Sequence, residues 1–438
     1  MLISSGARDP SSGQRQRPHP ILEVRPVSNP LVVGIDVHRK THTVALMEQS
    51  GREVAPRFTV QNNRPGTATL AQTLQATVQQ GGYDAIHVAA EATGWYWWHL
   101  FYTLDKDPLL HQNPLLLYPF NARMTANFRK TYSDRDKTDR VDAGVIADRL
   151  RLGRDLPQPY AYDEAYLGLR FLTRHRFHLV HQIVREKAYF LAYLYLKASE
   201  YTRLQPFGNL FGAASRALLL DYANLEEIAA IPFDNLTEII DQLGKRRFAD
   251  PKQNARLVQA VAQDSYPLPQ GLQAPVNLIL RQSLQQILSL QRLVQRTDTA
   301  IATAIETIPN TLTSVPGLGP VFAAGMASEI GDLARFDGDE AKVAKFAGLS
   351  WRQTQSGEFQ AEETHLTHAG NRYLRYYLCE GANSVRMRSA EYRAFYERKY
   401  NEVRLHQHKR AIVLTARKLV RLVVRLLTTN QPYQPRRT

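Results

Sequence analysis

Four carboxylates stand where a carboxylate is costly or crowded. Asp36 lies in the apolar run "VVGIDVHRK" and Glu91 ends the run "HVAAEATG". Asp139 and Asp142 sit three residues apart in "KTDRVDAGVIADRL", a stretch with helical character. An acid inside an apolar strand raises the energy of the fold unless it is paired or bound to a cation. Residues three apart on a helix share a face, where like charges repel. By themselves, Asp139 and Asp142 read more simply as a solvated patch neutralised by Arg135, Lys137 and Arg140. With Asp36 and Glu91 in matching strand contexts, the better reading is a shared divalent metal site. All-oxygen ligation suits a hard cation, Mg2+ or Mn2+. Two such ions about 4 Å apart hold a phosphodiester and stabilise both the entering and the leaving oxygen.

These acids need a scaffold that brings them together. "LVVGIDV" and "HTVALME" read as two short strands joined by the turn "HRKT", and "REVAPRFTVQN" as a third. A helix over "TATLAQTLQATVQQ" leads to a fourth strand, "YDAIHVAAEAT". "WYWWHLFYTL" reads as helix and "PLLLYPF" as strand, and a further helix opens near Lys137. The order predicts an α/β sandwich with a mixed sheet. If its first and fourth strands are neighbours, the helix with Asp139 and Asp142 can cross their ends.

Downstream the pattern becomes helical. One long helix is predicted from about Asp163 to Glu200 and another from about Val276 to Ile308. In the second, Leu280, Leu284, Ile287, Gln291, Val294, Asp298, Ile301, Ile305 and Ile308 alternate spacings of four and three. That spacing suits a coiled-coil seam, and equally an amphipathic helix packed on its own domain. The segment between reads as a small helical insertion.

Composition narrows the functional class. The 438 residues carry a net charge of +14, and Arg386–Thr438 alone holds fourteen Lys and Arg against three Glu. Such charge favours polyanions, nucleic acid before membrane. The single cysteine, Cys379, excludes an internal disulfide and fits a cytoplasmic protein. No apolar run approaches the ~20 residues of a membrane span, and the polar N-terminus has no signal-peptide core.

In order, "GIDVHRKTHTVAL", "AAEATGWYWW", "KTDRVDAGVIADRL", "SVPGLGPVFAAGMASEIGD", "FAGLSWRQTQSGEF" and "HAGNRYLRYYLCEGA" resemble the insertion sequence 110 family of DEDD transposases, relatives of the Piv-type invertases. The resemblance implies a RuvC-like, ribonuclease-H-type domain whose acids are Asp36, Glu91, Asp139 and Asp142. It also implies a coiled coil for dimerisation and a C-terminal transposase domain with a serine nucleophile, which falls on Ser356 of "TQSGE". Without the resemblance, Ser356 is an ordinary loop serine. The implied partners are an element-encoded structured RNA, the bridge RNA, which pairs with donor and target DNA, and further copies of the chain in a dimer or tetramer.

The expected organisation is therefore multi-domain α/β plus α. A disordered basic arm (1–29) precedes the RuvC-like domain (30–155). A coiled-coil region (160–308) carries the insertion at about 201–275. A mainly helical transposase domain (309–430) and a short tail (431–438) follow. In that last domain, Gly317 and Gly319 of "PGLG" would let backbone amides approach a phosphate, in a helix-hairpin-helix-like element, or form a plain turn. Arg372 and Arg375 interleave with tyrosines, and Arg417, Arg421 and Arg425 form a basic stripe on the last helix. These are the candidate nucleic-acid contacts. The expected function is RNA-guided DNA recombination through a phosphoserine link. A metal-dependent nuclease or junction resolvase, or a catalytically inactive nucleic-acid-binding protein, are the other readings.

Overall fold

A computed structural model of the chain describes residues 29–132, 139–154, 156–160, 163–221, 225–351, 355–356, 359–360, 366 and 370–435. The expected N-terminal arm falls almost entirely outside them. The chain divides into two compact units, Met1–Tyr162 and Asp163–Thr438.

The first unit is built on a sheet of β1 (Pro30–Val37), β2 (Thr41–Met47), β3 (Phe58–Gln61), β4 (Ala85–Glu91) and β5 (Leu115–Phe120), in the order β3-β2-β1-β4-β5. β1, β2 and β3 pair antiparallel, whereas β1, β4 and β5 pair parallel. This is the mixed sheet expected from the sequence, consistent with a ribonuclease-H-like domain. β3 is shorter than "REVAPRFTVQN" suggests. Pro56 lacks the N–H a ladder needs, so only an isolated bridge, Met47 to Glu53, forms upstream of it.

The central strands read as almost unbroken apolar runs because helices cover both faces. On one face lie α1 (Arg64–Gly81) and α2 (Trp98–Asp105), which bury Leu70, Leu74, Phe101 and Leu104 against Leu31, Val33, Ile35 and Val88. The Asn63 side chain starts α1 by accepting from the Gly66 amide, with Pro65 in the first turn. On the other face lies α4 (Asp139–Arg151), whose Ala143, Ile146, Ala147 and Leu150 pack on Val32, Ala45, Ala89 and Tyr118. The sequence pattern shows no helix between β5 and α4, but α3 (Ala122–Arg129) stands there, capped by Asn121 accepting from the Arg123 amide.

α4 meets β1 at Gly34. A Cβ on this residue would stand 2.2 Å from the Ala143 carbonyl oxygen and 2.3 Å from the Ala147 nitrogen. Helix backbone thus rests directly on strand backbone, which only glycine permits.

The second unit is helical. α5 (Glu164–Lys197) and α11 (Gln270–Ile305) run antiparallel along one another. Arg176 pairs with Asp298, Ser283 donates to Glu186 at 2.6 Å, and Lys197 donates to Asn277 at 2.8 Å. At one end of the pair, α6 (Tyr201–Leu204), α7 (Ala213–Asp221), α8 (Leu225–Ala229), α9 (Phe233–Leu243) and α10 (Pro251–Asp264) close a core around Phe190, Leu194, Leu280 and Leu284. At the other end, α12 (Pro320–Ile330), α13 (Glu340–Phe346), α14 (Arg372–Arg388), α15 (Ala390–Asn401) and α16 (Gln407–Thr429) build a second core with Leu169, Ile301 and Ile305. Leu280, Leu284 and Ile287 of the predicted seam are buried in the first core, and Ile301, Ile305 and Ile308 in the second. Asp298, one of the two polar residues of that seam, is paired with Arg176 on α5. These seven of the nine seam positions are thus occupied within the chain.

Two outcomes follow for the first unit. Gly34→Ala should lower its stability by about 1–3 kcal/mol or more, because neither backbone can yield without displacing α4; thermal unfolding of the purified variant measures this. His42 is fully buried in β2, and burial pushes its imidazole down to about 4. Above pH 6.5 it is neutral in both folded and unfolded chains. Between pH 6.5 and about 4 only the unfolded chain binds the proton, so acid should cost up to about 3 kcal/mol. Denaturation at pH 7 and pH 5 should show about 2 kcal/mol of this loss, and His42→Gln should reduce it.

Candidate active site

The sheet register aligns the first two acids. Ile35 pairs with Ala90, so one residue further on Asp36 stands beside Glu91 on the adjacent parallel strand. Side chains alternate along strands, so Asp36 shares the face of Gly34, and Glu91 that of Ala89. Both therefore belong to the face that α4 covers.

The direction of α4 brings in the other two. Gln49, just past β2, donates to the Arg151 carbonyl at 2.9 Å, and Met47 pairs with Val32. The C-terminal end of α4 thus stands over the start of β1, and its N-terminal end over the end of β1. From the crossing at Gly34, two strand residues advance ~7 Å, and four helix residues back from Ala143 span ~6 Å. Asp36 and the start of α4, where Asp139 and Asp142 lie, reach the same height. The Asp139 side chain itself lies outside the described residues.

Each described acid has a local partner. Asp36 Oδ2 is 3.1 Å from His38 Nε2, Glu91 accepts from Thr93 Oγ1 at 2.8 Å, and Asp142 is ion-paired with Arg129 of α3. The side chains of Asp36 and Asp142 are only 14% and 16% exposed. Among the described residues, no three metal-ligating side chains stand close enough to hold an ion. The donor chemistry, oxygen throughout, fits Mg2+ or Mn2+. The sequence reading missed His38, Thr93 and Arg129. Asn121 ahead of "ARMTANFR" is the capping signal that would have revealed α3 and hence Arg129.

In the helical unit, Ser356 lies in a two-residue strand, β6 (Gln355–Ser356), paired with β7 (Phe359–Gln360), with Ser356 opposite Phe359. Its side chain and Gly357 fall outside the described residues. The excursion that carries it is anchored at both ends. Trp351 bridges Leu366, and the Asn371 amide donates to the Phe346 carbonyl at 2.6 Å. Asn371 also caps α14 and donates from its side chain to Glu329 at 2.7 Å. Glu329, 1% exposed, receives two bonds from Arg174, at 2.7 and 2.8 Å. One buried carboxylate thus ties α5, α12 and α14 together below the serine excursion.

The candidate nucleic-acid residues divide. Gly317 has a positive φ of 100°, and a Cβ there would meet the Ser384 carbonyl of α14 at 2.8 Å, so packing accounts for this glycine. Gly319 precedes α12 with open space around it. Arg372 is exposed and lies over the rings of Tyr373 and Phe177, at 4.9 and 5.8 Å. Arg375 instead donates to the Ala347 carbonyl. The stripe on α16 is uneven: Arg425 is exposed, Arg421 is ion-paired with Glu340 at 3.2 Å, and Arg417 is half-buried, with burial pulling its pKa below the usual arginine value.

A mixed sheet with acids at its parallel strand ends, crossed there by the start of an acid-bearing helix, is the build of a DEDD-type domain in an enzyme acting on DNA. Residues 33–196 match the family model of the IS110-type DEDD domain, described as a transposase, and residues 310–397 match the model described as transposase of the IS116/IS110/IS902 family. The chain is 27% identical over 307 residues to an uncharacterised 44.8 kDa protein of insertion element IS116 from Streptomyces clavuligerus, covering 69% of this chain and 74% of that one. It is 24% identical over 318 residues to an uncharacterised 42 kDa protein of insertion element IS900 from Mycobacterium paratuberculosis, covering 70% and 75%. The chain belongs to the IS110 family of transposases. Among the described residues no helix is long and apolar enough to cross a membrane.

Glu329→Ala should strand the Arg174 guanidinium in a partly buried site and destabilise the helical unit by about 3–5 kcal/mol. Chemical denaturation measures the loss, and Glu329→Gln, which keeps an acceptor, should recover part of it.

Proposed function

We propose that this transposase cuts and rejoins DNA through a covalent phosphoserine intermediate, guided by a structured RNA from its own element. The observation that carries the reading is the common end of the sheet on which Asp36, Glu91 and the start of α4 lie. Asp36, Glu91, Asp139 and Asp142 would hold divalent metal there. The metal, when bound, neutralises phosphate charge and favours the alkoxide form of an attacking hydroxyl.

Ser356 supplies the nucleophile. Its Oγ forms a bond to phosphorus as the backbone P–O bond breaks; the serine proton leaves, and the displaced sugar oxygen takes one up. The phosphodiester energy is kept in the serine ester, so a sugar hydroxyl of another strand can reverse the step without ATP. A nuclease acting through water conserves nothing for rejoining. The two-ended anchorage of the serine excursion supports the assignment, because a nucleophile must be held within a narrow reach of its target.

Guidance by RNA and assembly into a dimer or tetramer rest on family membership and on the positive charge of the C-terminal helices. Arg372 and Arg425, exposed and without the carboxylate partner that Arg421 has in Glu340, are the candidate arginines best placed to meet phosphate.

Asp36→Ala and Asp142→Ala should each reduce DNA strand cleavage by on the order of a hundredfold or more while leaving the fold intact. Ser356→Ala should lose both recombination and a covalent protein–DNA band trapped on a nicked substrate, yet still bind nucleic acid. A band that persists in Ser356→Ala removes the serine mechanism. Cleavage without any covalent band returns the protein to the nuclease reading. Purification from cells carrying the whole element should recover one discrete RNA.

A further inference from the structure

Beside the acids lies a surface that the proposed chemistry does not use. Glu91 is followed by Thr93-Gly94-Trp95-Tyr96, and Asp36 by the turn His38-Arg39-Lys40. One side chain clamps the two loops together: Asn62 Nδ2 donates to the His38 carbonyl at 2.9 Å and to the Tyr96 carbonyl at 3.3 Å. The Asn62 amide also donates to the Lys40 carbonyl at 2.8 Å.

The aromatic loop is further held by its neighbours. Trp97 Nε1 donates to the Gly94 carbonyl at 3.1 Å, and its ring packs edge-on against Phe101 and Tyr160. The Trp98 amide donates to the Trp95 carbonyl at 3.2 Å. With Trp97 as an inward anchor, Trp95 and Tyr96 are turned outward and remain 50% and 49% exposed. Two adjacent large aromatics on the surface of a well-braced turn call for an explanation, since such side chains usually bury most of their area. Arg39 and Lys40 are exposed alongside.

We propose that Trp95 and Tyr96, with Arg39 and Lys40, form a stacking site for an unpaired nucleotide next to the acidic end of the sheet. The inference rests on the reading of Asp36 and Glu91 as the site of DNA chemistry. An apolar protein partner would call for an apolar rim, whereas here the rim is His38, Arg39, Lys40 and Thr93. Aromatic faces beside guanidinium and ammonium groups match a base with its phosphate. Paired bases within a duplex present no free face, so the site selects a nucleotide that has left its stack. The rigid loops lower the ordering cost of binding.

The test uses the full-length protein in EDTA, so that binding is read without cleavage. The probes are a DNA duplex carrying 2-aminopurine at an unpaired position in a short gap, the same gap made of ribonucleotides, and a fully paired duplex. Trp95→Ala and Tyr96→Ala should weaken binding to the gapped probes by roughly five- to a hundredfold and relieve 2-aminopurine quenching, with the paired duplex bound as before. Their dependence on salt should match wild type, because no phosphate contact is lost. Arg39→Ala should reduce the salt slope by about one. Trp95→Phe should restore most of the stacking, which separates the site from a folding defect. The tighter of the deoxy and ribo gaps names the strand that is read. Unchanged affinity for both gapped probes, or an equal loss on the paired duplex, overturns the proposal. If strand cleavage survives Asp36→Ala, the acid reading fails on its own, and the binding result still decides whether the stacking site exists.

Discussion

The arrangement of the acids depends on one contact, the backbone of α4 lying against Gly34 of β1. Any side chain at this position would lift the helix off the sheet. Because the contact joins two rigid elements near the acids, it sets their height and direction together. Strand register does the remainder by standing Glu91 beside Asp36. No loop needs to be ordered to bring these residues to one edge, so the electrostatic cost of gathering them is met by the packing of the sheet and helix.

Neutral and cationic neighbours then share out the negative charge. His38, Thr93 and Arg129 each engage one acid, and each comes from a different segment of the first unit. If the proposed divalent ion binds there, it would have to compete with Arg129 for Asp142, and metal affinity would depend partly on a residue that is not a ligand. The helical unit solves a similar problem with one buried carboxylate. Glu329 joins α5, α12 and α14 and reaches, through Asn371, the base of the excursion that carries Ser356.

Much of the sheet was legible because its strands are short apolar runs bounded by polar turns, and Asp36 and Glu91 stood out as charges within them. The start of α4 was readable to within two residues from the helical character of its sequence, near Lys137 against the observed Asp139. What the sequence hid was tertiary. Gly34 looks like any strand glycine until the helix above it is known. Gly317 gives no sign in the sequence of how closely α14 approaches it. α3 is too short and too polar to show a clear period. α11 begins at Gln270, ahead of the start near Val276 that the sequence pattern suggests, and carries Pro275 inside its length. Its seven-residue pattern is real, but periodicity does not say whose helix fills the seam.

The antiparallel pair of α5 and α11 has a consequence for how the chain comes together. α5 ends at Lys197 and its partner begins at Gln270, so roughly seventy residues must be synthesised before the seam can close, a matter of several seconds or more. During that interval Phe190 and Leu194 have no α11 to cover them. The intervening helices supply the remedy, since they pack on those same residues and join the two ends of the pair in one core. With that core formed, the open loop becomes a short turn, and α11 can zip along α5 from the tip without a further search through chain entropy. The insertion, for which the sequence suggests no chemistry, would then serve as the nucleus of a very large helical hairpin.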